Sequence, residues 1–144
     1  MIEKYGDSVL NVETEVNKPV KHVWNYWNNP KHIVKWNLAS NEWECPKAEN
    51  NLIIGGNFSY TMAAKDGSAK FEFEGTYTTI EEFERIEYTL KDGRMVVIEF
   101  IAEANRTKIK ESFVPDNSTS HEFQKSGWQA ILDNFKKYIE EKNE

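Results

Sequence analysis

Cysteine is nearly absent from this sequence of 144 residues, in which Cys45 stands alone. A lone cysteine excludes an intrachain disulfide framework and a zinc site built from several thiolates. The histidines His22, His32 and His121 are dispersed, and no two have the i, i+4 spacing of a helical metal site. We therefore predict no metal ion and no cofactor, and we expect the histidines to be solvated or to cap helices.

Long hydrophobic runs are also missing, and positive charge is in the minority. No apolar run approaches the roughly 18 residues that a membrane-spanning helix needs. The net charge of −6 and the pI of about 5.2 disfavour nucleic acid and anionic membranes as partners. Residues 1–7 include acidic side chains where a signal peptide needs a basic stretch and then an apolar one. We therefore expect a cytoplasmic protein without membrane insertion.

Motifs of common catalytic sites are lacking as well. No Gly-x-Ser-x-Gly sequence marks a serine hydrolase. Gly55-Gly56 lacks the length and the lysine of a phosphate-binding loop, and it is better interpreted as a turn that admits positive φ before a strand. No motif beside Cys45 suggests a thiol with a lowered pKa. We therefore name no catalytic residue, although the sequence leaves enzymatic activity open.

Aromatic residues, by contrast, are abundant. They make up 13% of the chain, with five Trp, eight Phe and six Tyr. Bulky rings fill a core, but they also line apolar pockets, and composition alone does not choose between these uses. The hydrophobic share of 39% and the charged share of 29% are those of an ordinary globular protein. The length predicts one domain over residues 1–144.

The first part of the chain predicts a strand followed by two short helices. Residues 9–16 alternate between apolar and polar positions, which is typical of a half-buried strand. Pro19 stands where a first helical residue would, before apolar residues at helical spacing. Asn29 and the proline after it repeat this start signal, with Asn29 as the cap.

The middle of the chain predicts an antiparallel meander. A short strand at residues 42–45 begins the period-two pattern. Asp-Gly turns follow at residues 66–67 and 92–93, and residues 105–106 look like another tight turn. The strands between these turns are polar on one face and aromatic on the other, so we expect the aromatic face to point inward.

A long helix ends the chain. Thr119 and Glu122 have the spacing of a capping box, so we expect the helix to begin at about Ser120. Only this predicted element is long enough to cover the aromatic face of the strands. We therefore predict an α+β fold, in which a curved antiparallel sheet wraps around the C-terminal helix. The apolar stripe of the helix comprises Phe123, Gly127, Ala130, Ile131, Asn134, Phe135 and Tyr138.

Two glycines lie inside predicted elements, where glycine costs stability. We expect Gly75 to permit a bend of its strand. We expect Gly127 either to permit a close approach to the helix or to leave volume for a cavity. Both expectations follow from the cost of placing glycine where another residue would favour the helix or strand.

The element order, a strand, two short helices, a run of hairpins and a long terminal helix, resembles the START-like superfamily, also called SRPBCC or birch-pollen-allergen-like. Local sequences between about residue 8 and residue 139 resemble one family within it more closely. They are Trp24, Trp36, and residues 55–58, 71–77, 86–89, 92–94, 111–113 and 127–135. In this order they are similar to homologues of the activator of the heat-shock-chaperone ATPase, here as a single-domain member.

The resemblance implies a helix-grip fold whose internal cavity accepts a lipophilic molecule. It does not imply one activity, because relatives include hydrophobic-ligand carriers, polyketide cyclases or aromatases, and chaperone co-factors. Our main hypothesis is a protein that binds a small hydrophobic molecule in its cavity. The alternatives are a cyclase/aromatase-like or hydrolase-like enzyme acting on a hydrophobic substrate, and an interaction protein with a chaperone as its partner.

Glu111 is the most informative polar residue, because strand alternation puts it on the inward face with Ile109 and Phe113. A carboxylate there must find a partner, contact water or take a raised pKa. It could then orient the polar head of a ligand or act as an acid or base. The alternatives are a rim position and a hydrogen bond to a tryptophan or tyrosine. The other predicted cavity residues, each with a place in the core as its alternative, are Trp24, Trp27, Trp36, Tyr60, Phe71, Phe73, Tyr88, Phe113, Trp128 and Ile131.

Overall fold

The computed structural model describes residues 2–141. These residues form a short 3-10 helix, Ile2–Ser8, three α-helices and seven strands. The strands are β1 (Leu10–Val16), β2 (Trp43–Asn50), β3 (Asn57–Ala64), β4 (Lys70–Glu81), β5 (Arg85–Leu90), β6 (Met95–Glu103) and β7 (Arg106–Phe113). The α-helices are α1 (Val20–Asn28), α2 (Pro30–Trp36) and α3 (His121–Glu140). Within the described range, every helix is too short or too polar to cross a membrane.

The seven strands form one antiparallel sheet in the order β1-β7-β6-β5-β4-β3-β2. Successive hairpins build β2 to β7, and β1 pairs with β7, so β1 and β2 are the two edges. Helix α3 packs against β1, α2 packs against β2, and α2 also contacts α3. The helices therefore cover one face of the sheet from edge to edge. This arrangement confirms the predicted α+β helix-grip fold, with two short helices after the first strand.

The two short helices begin close to their predicted signals. Asn29 caps α2, because its side chain accepts a hydrogen bond from the backbone N–H of Lys31 at 3.0 Å. Pro30 is the first helical residue of α2, where its missing N–H costs nothing. Helix α1 begins one residue later than predicted, since Pro19 keeps an extended backbone and Val20 is the first helical residue.

Helix α3 begins where predicted, but through a different cap. Ser120, not Thr119, accepts the backbone N–H of Phe123 at 3.1 Å, so the predicted capping box is wrong in its first residue. Phe123 is 68% exposed and does not belong to the buried stripe, because the first turn of α3 lies at the surface. The fully buried residues of α3 are Leu132, Phe135 and Ile139.

Strand β2 is longer than the predicted residues 42–45, since it continues to Asn50. Its register against β3 shifts between Glu44 and Lys47, the segment that contains Pro46. A bulge breaks the alternation of side chains, and proline lacks the N–H that a ladder needs. The period-two signal is therefore lost halfway along this edge strand.

The two glycines have different surroundings. A Cβ on Gly75 would lie 2.8 Å from the carbonyl oxygen of Thr89 and 2.9 Å from the ring of Phe58. Gly75 therefore admits the Phe58 ring against the sheet. A Cβ on Gly127 would meet nothing within 4 Å, so the predicted close approach at this position is wrong. The other expectation, that Gly127 leaves volume for a cavity, stays a prediction.

Candidate functional site

A cavity of about 270 Å³ lies between the inner face of the sheet and the three α-helices. Every strand from β3 to β7 contributes at least one lining side chain. Nine of the predicted cavity residues line it: Trp27, Trp36, Tyr60, Phe71, Phe73, Tyr88, Glu111, Trp128 and Ile131. Phe71 lies at the rim, where half of it (50%) is exposed.

Trp24 and Phe113 do not line the cavity, so for these two the prediction is wrong. Trp24 meets Phe83 and Phe100 edge-on, with ring centroids 5.9 and 5.2 Å away. Phe113 lies behind the wall, where its ring stacks on that of Trp128 at 4.0 Å and an interplanar angle of 6°. Periodicity assigns a residue to a face, but it does not say whether the ring forms the wall or supports it.

Ten further residues line the cavity. Five of them share inward strand faces with predicted residues, so alternation could have identified them: Phe58, Met62, Tyr77, Ile86 and Ile98. The remainder come from helix ends, a turn and the segment between β7 and α3, where no periodicity exists to read. They are Asn28, Asn37, Arg94, Asp116 and Gln124.

Glu111 lies on the cavity wall as alternation predicted, and it is only 5% exposed. Its strand neighbours on the same face are Ile109 and Phe113, and its cross-strand partners are Val12 and Ile98. None of the residues 2–141 gives its carboxyl group a hydrogen bond or an ion pair, so the alternatives of a rim position and a Trp or Tyr partner are wrong. Burial in this apolar setting raises its pKa from 4.5 to about 8.

Tyr88 is the ionisable group whose pKa responds to Glu111. Its side chain lines the cavity and is 7% exposed. Burial raises the pKa of Tyr88 well above its usual value, and the negative charge of Glu111 raises it further. Within the described residues no hydrogen bond joins the two side chains. The carboxyl group of Glu111 is therefore free to bond with an occupant of the cavity.

The polar groups between α1 and the β2–β4 part of the sheet are, in contrast, bonded to one another. The Tyr77 hydroxyl donates to Oδ1 of Asn50 at 2.6 Å. Nδ2 of Asn50 donates in turn to the carbonyl oxygen of Asn28 at 2.8 Å. Burial raises the pKa of Tyr77 to about 12, and that of Tyr60 beside it well above its usual value. This chain of hydrogen bonds ties α1 to the sheet.

The charged groups that line the cavity near the start of α3 are also paired. Arg94 donates from Nε to Asp92 at 2.8 Å and from Nη1 to the carbonyl oxygen of Val114 at 3.2 Å. Its Nη2 lies 3.8 Å from Asp116. The Gln124 side chain accepts from the backbone N–H of Asp116 at 2.9 Å and donates to its carbonyl oxygen at 3.0 Å. These bonds fasten the segment between β7 and α3.

His32 and Cys45 are buried residues outside the cavity. His32 is 8% exposed, its ring stacks on Tyr26 at 3.8 Å, and its Nδ1 lies 2.8 Å from the Tyr138 hydroxyl. The expected solvated or capping role is therefore wrong for His32. Burial raises the pKa of the Cys45 thiol, which makes the reactive thiolate scarcer. No three metal-ligating side chains converge anywhere in the described part of the chain.

Comparison with known proteins gives a family and several solved structures. Residues 17–140 match the family described as Activator of Hsp90 ATPase homolog 1-like protein. The AHSA1-like protein from Aeromonas hydrophila is 40% identical, with a TM-score of 0.82 over 91% of this chain and 92% of that one. Protein Chr148 from Cytophaga hutchinsonii is 49% identical, with a TM-score of 0.81 over 92% of each chain. No curated protein matches this sequence.

Proposed function

The chain belongs to the activator of Hsp90 ATPase homolog 1-like family, within the START-like superfamily, and from this premise we propose that it binds a small hydrophobic molecule in its internal cavity. The observation that carries the proposal is the cavity itself. Protein interiors are close-packed, and voids larger than a water molecule are few. A cavity of about 270 Å³ that reaches the surface beside Phe71 is therefore more space than close packing alone leaves.

The size of the cavity limits its occupant to a small molecule. An apolar cavity of about 150 Å³ stays dry and binds benzene. The cavity of about 270 Å³ suits a molecule nearly twice as large, such as one with two fused aromatic rings. Its lining is mostly aromatic and aliphatic, and most of its polar groups already have partners. This composition supports a largely apolar ligand with one polar group.

Binding is better supported than catalysis. An enzyme would need a second polar side chain that converges on Glu111, and the hydroxyl of Tyr88, whose pKa is raised by the charge of Glu111, is a candidate. The two groups interact electrostatically, but within residues 2–141 no hydrogen bond joins them. The cyclase-like or hydrolase-like activity, the chaperone partner and the cytoplasmic location stay predictions from the sequence.

Calorimetric titration with naphthylmethanol, an uncharged two-ring alcohol, tests the proposal. We expect saturable binding with one site per chain. The variant Ile131→Trp puts an indole into the cavity and should abolish binding. Ile101→Trp is the matched control, since Ile101 is 41% exposed and lies outside the cavity, and it should bind as the wild type does.

Native mass spectrometry of protein purified from its own host provides a second measurement. We expect a retained small molecule in the wild type and in Ile101→Trp, and none in Ile131→Trp. Absence of naphthylmethanol binding together with absence of a retained molecule would contradict the proposal. Equal binding by both tryptophan variants would place the ligand elsewhere and would contradict it as well.

A further inference from the structure

Glu111 is the lining group that a purely apolar ligand would leave unsatisfied. Nothing in residues 2–141 bonds to its carboxyl group, and only 5% of the residue is exposed. A buried polar group without a partner costs free energy, so each such group in a native protein calls for an explanation, and a polar group of a ligand is one. The other lining side chains that carry charge, Arg94 and Asp116, are paired with each other, and Arg94 also with Asp92. Among the described lining residues, Glu111 is therefore the acidic or basic side chain that a ligand can pair with.

Three aromatic rings of the cavity lining contact one another, two from the sheet and one from α3. Phe73 meets Tyr88 at 6.4 Å and 88°, and it meets Trp128 at 6.0 Å and 74°. Phe113 covers one face of Trp128, so the opposite side of the indole lines the cavity. Rings set at near right angles present both faces and edges to an occupant. Aromatic faces attract cations, and aromatic cages bind alkylated ammonium groups.

We propose that the cavity binds a hydrophobic amine, whose cationic nitrogen pairs with the carboxylate of Glu111 in a cavity also lined by the rings of Phe73, Tyr88 and Trp128. This inference rests on the proposed function and specifies the chemical class of the ligand. A carboxylic acid is disfavoured, because its negative charge would face Glu111 while the cation of Arg94 is already paired. An alcohol can make one hydrogen bond to Glu111, but it gains neither the ion pair nor the cation–π attraction.

Binding of an amine releases a proton. Free Glu111 carries its proton at neutral pH, because its pKa is about 8, and an alkylamine in water is an ammonium ion. In the complex the carboxyl group is a carboxylate and the nitrogen keeps its proton, so one proton leaves to solvent. No bond other than the O–H bond of Glu111 is broken. The affinity should therefore rise with pH, about tenfold per unit well below the pKa of Glu111.

The other lining groups that could titrate do not produce this pH dependence. Burial holds the pKa values of Tyr60, Tyr77 and Tyr88 above the usual value for tyrosine. Hydrogen bonds from Ser118 lower the pKa of Asp116 below its usual value. Arg94 is a permanent cation. Among the residues that line the cavity from each strand and helix, Glu111 is the group that titrates near neutrality.

Calorimetric titration of the full chain with naphthylmethylamine, naphthylmethanol and naphthoic acid tests the inference. The three probes share one ring system and differ in the head group. We expect the amine to bind at least about tenfold more tightly than the alcohol at the pKa of Glu111, and the acid to bind most weakly. The amine's affinity should rise with pH up to about 8 and then level off, while the alcohol's affinity stays flat.

The variant Glu111→Gln should bring the amine and the alcohol to similar affinities and remove the pH dependence. Ile131→Trp should abolish amine binding, which separates the cavity from the acidic surface. Binding of the alcohol without a preference for the amine, or a pH-independent amine affinity in the wild type, would overturn this inference alone. If none of the three probes binds, this inference is wrong, and if the native protein also retains no small molecule, the proposed function is wrong as well.

Discussion

Two buried polar regions of this protein differ in whether their polar groups have hydrogen-bond partners. In the first region, Tyr77, Asn50 and the carbonyl oxygen of Asn28 bond to one another and join α1 to the sheet. In the second, the carboxyl group of Glu111 has apolar strand neighbours and no partner among residues 2–141. Satisfied polar groups stabilise and specify a fold, whereas an unsatisfied group lowers its stability. The first region therefore has a structural role, and the unpartnered carboxyl group of the second supports the proposal that it contacts a ligand.

The largest expected effect is the pH dependence of stability that Glu111 imposes. The folded protein holds this proton more tightly than the unfolded chain, so stability falls as pH rises from about 4.5 to about 8 and is level above that. The shift corresponds to a free energy on the order of 5 kcal/mol. Urea denaturation should show that Glu111→Gln has the same free energy of unfolding as the wild type in acid. At alkaline pH the variant should be the more stable of the two by about this amount.

Tyr77→Phe is the control for this measurement. The pKa of Tyr77 is about 12 in the folded protein and about 10 in the unfolded chain, so its removal should lower stability by the same amount at every pH well below 10. If the stability difference between Glu111→Gln and the wild type did not change with pH, the carboxyl group would have a partner or access to water. The contrast between the two regions would then be lost.

A smaller loss is expected when the bonded region is broken. Asn50→Ala removes the acceptor of the Tyr77 hydroxyl and the donor to the carbonyl oxygen of Asn28. We expect the free energy of unfolding to fall by about 2 kcal/mol, because two partly buried groups lose their partners. Binding of naphthylmethanol should persist in this variant, which calorimetry can check. Lost binding with unchanged stability would reverse the roles of the two regions.

The smallest effect concerns the glycines. Gly127→Ala should raise the free energy of unfolding by roughly 0.5–1 kcal/mol, since alanine favours the helix and its Cβ meets no atom. Gly75→Ala should lower it, because its Cβ would lie 2.9 Å from the ring of Phe58 and closer to a backbone carbonyl. Thermal denaturation of both variants measures the change in melting temperature relative to the wild type. Changes of the same sign in the two variants would contradict this account.

The strict alternation of side chains along a strand made it possible to predict that Glu111 points inward. Because side chains alternate, Glu111 had to share a face with Ile109 and Phe113, and the structure confirms this placement. The order of elements likewise predicted the fold, since a long amphipathic helix and a sheet with one aromatic face must cover each other.

The sequence could not show how far each buried side chain lies from the cavity, nor the geometry of the irregular segments. Trp24 and Trp27 lie three residues apart on α1, and both are buried, yet only Trp27 lines the cavity. Helical spacing places both residues on the apolar face of α1 and does not distinguish between them. Asp116 lies in the irregular segment between β7 and α3, and its backbone is hydrogen-bonded to the side chain of Gln124, a polar residue in the first turn of α3 that the apolar stripe does not include. The missing partner of Glu111 is visible only when all neighbouring elements are in place.

The central claim is that Glu111 is a buried, unpartnered acid that a ligand can engage. The most direct test is an NMR titration that follows its side-chain carboxyl carbon with pH, with and without naphthylmethylamine. The account predicts a midpoint of about 8 in the free protein and a lower midpoint when the amine is bound. A midpoint near the usual 4.5 in the free protein, or one that the amine does not move, would contradict it.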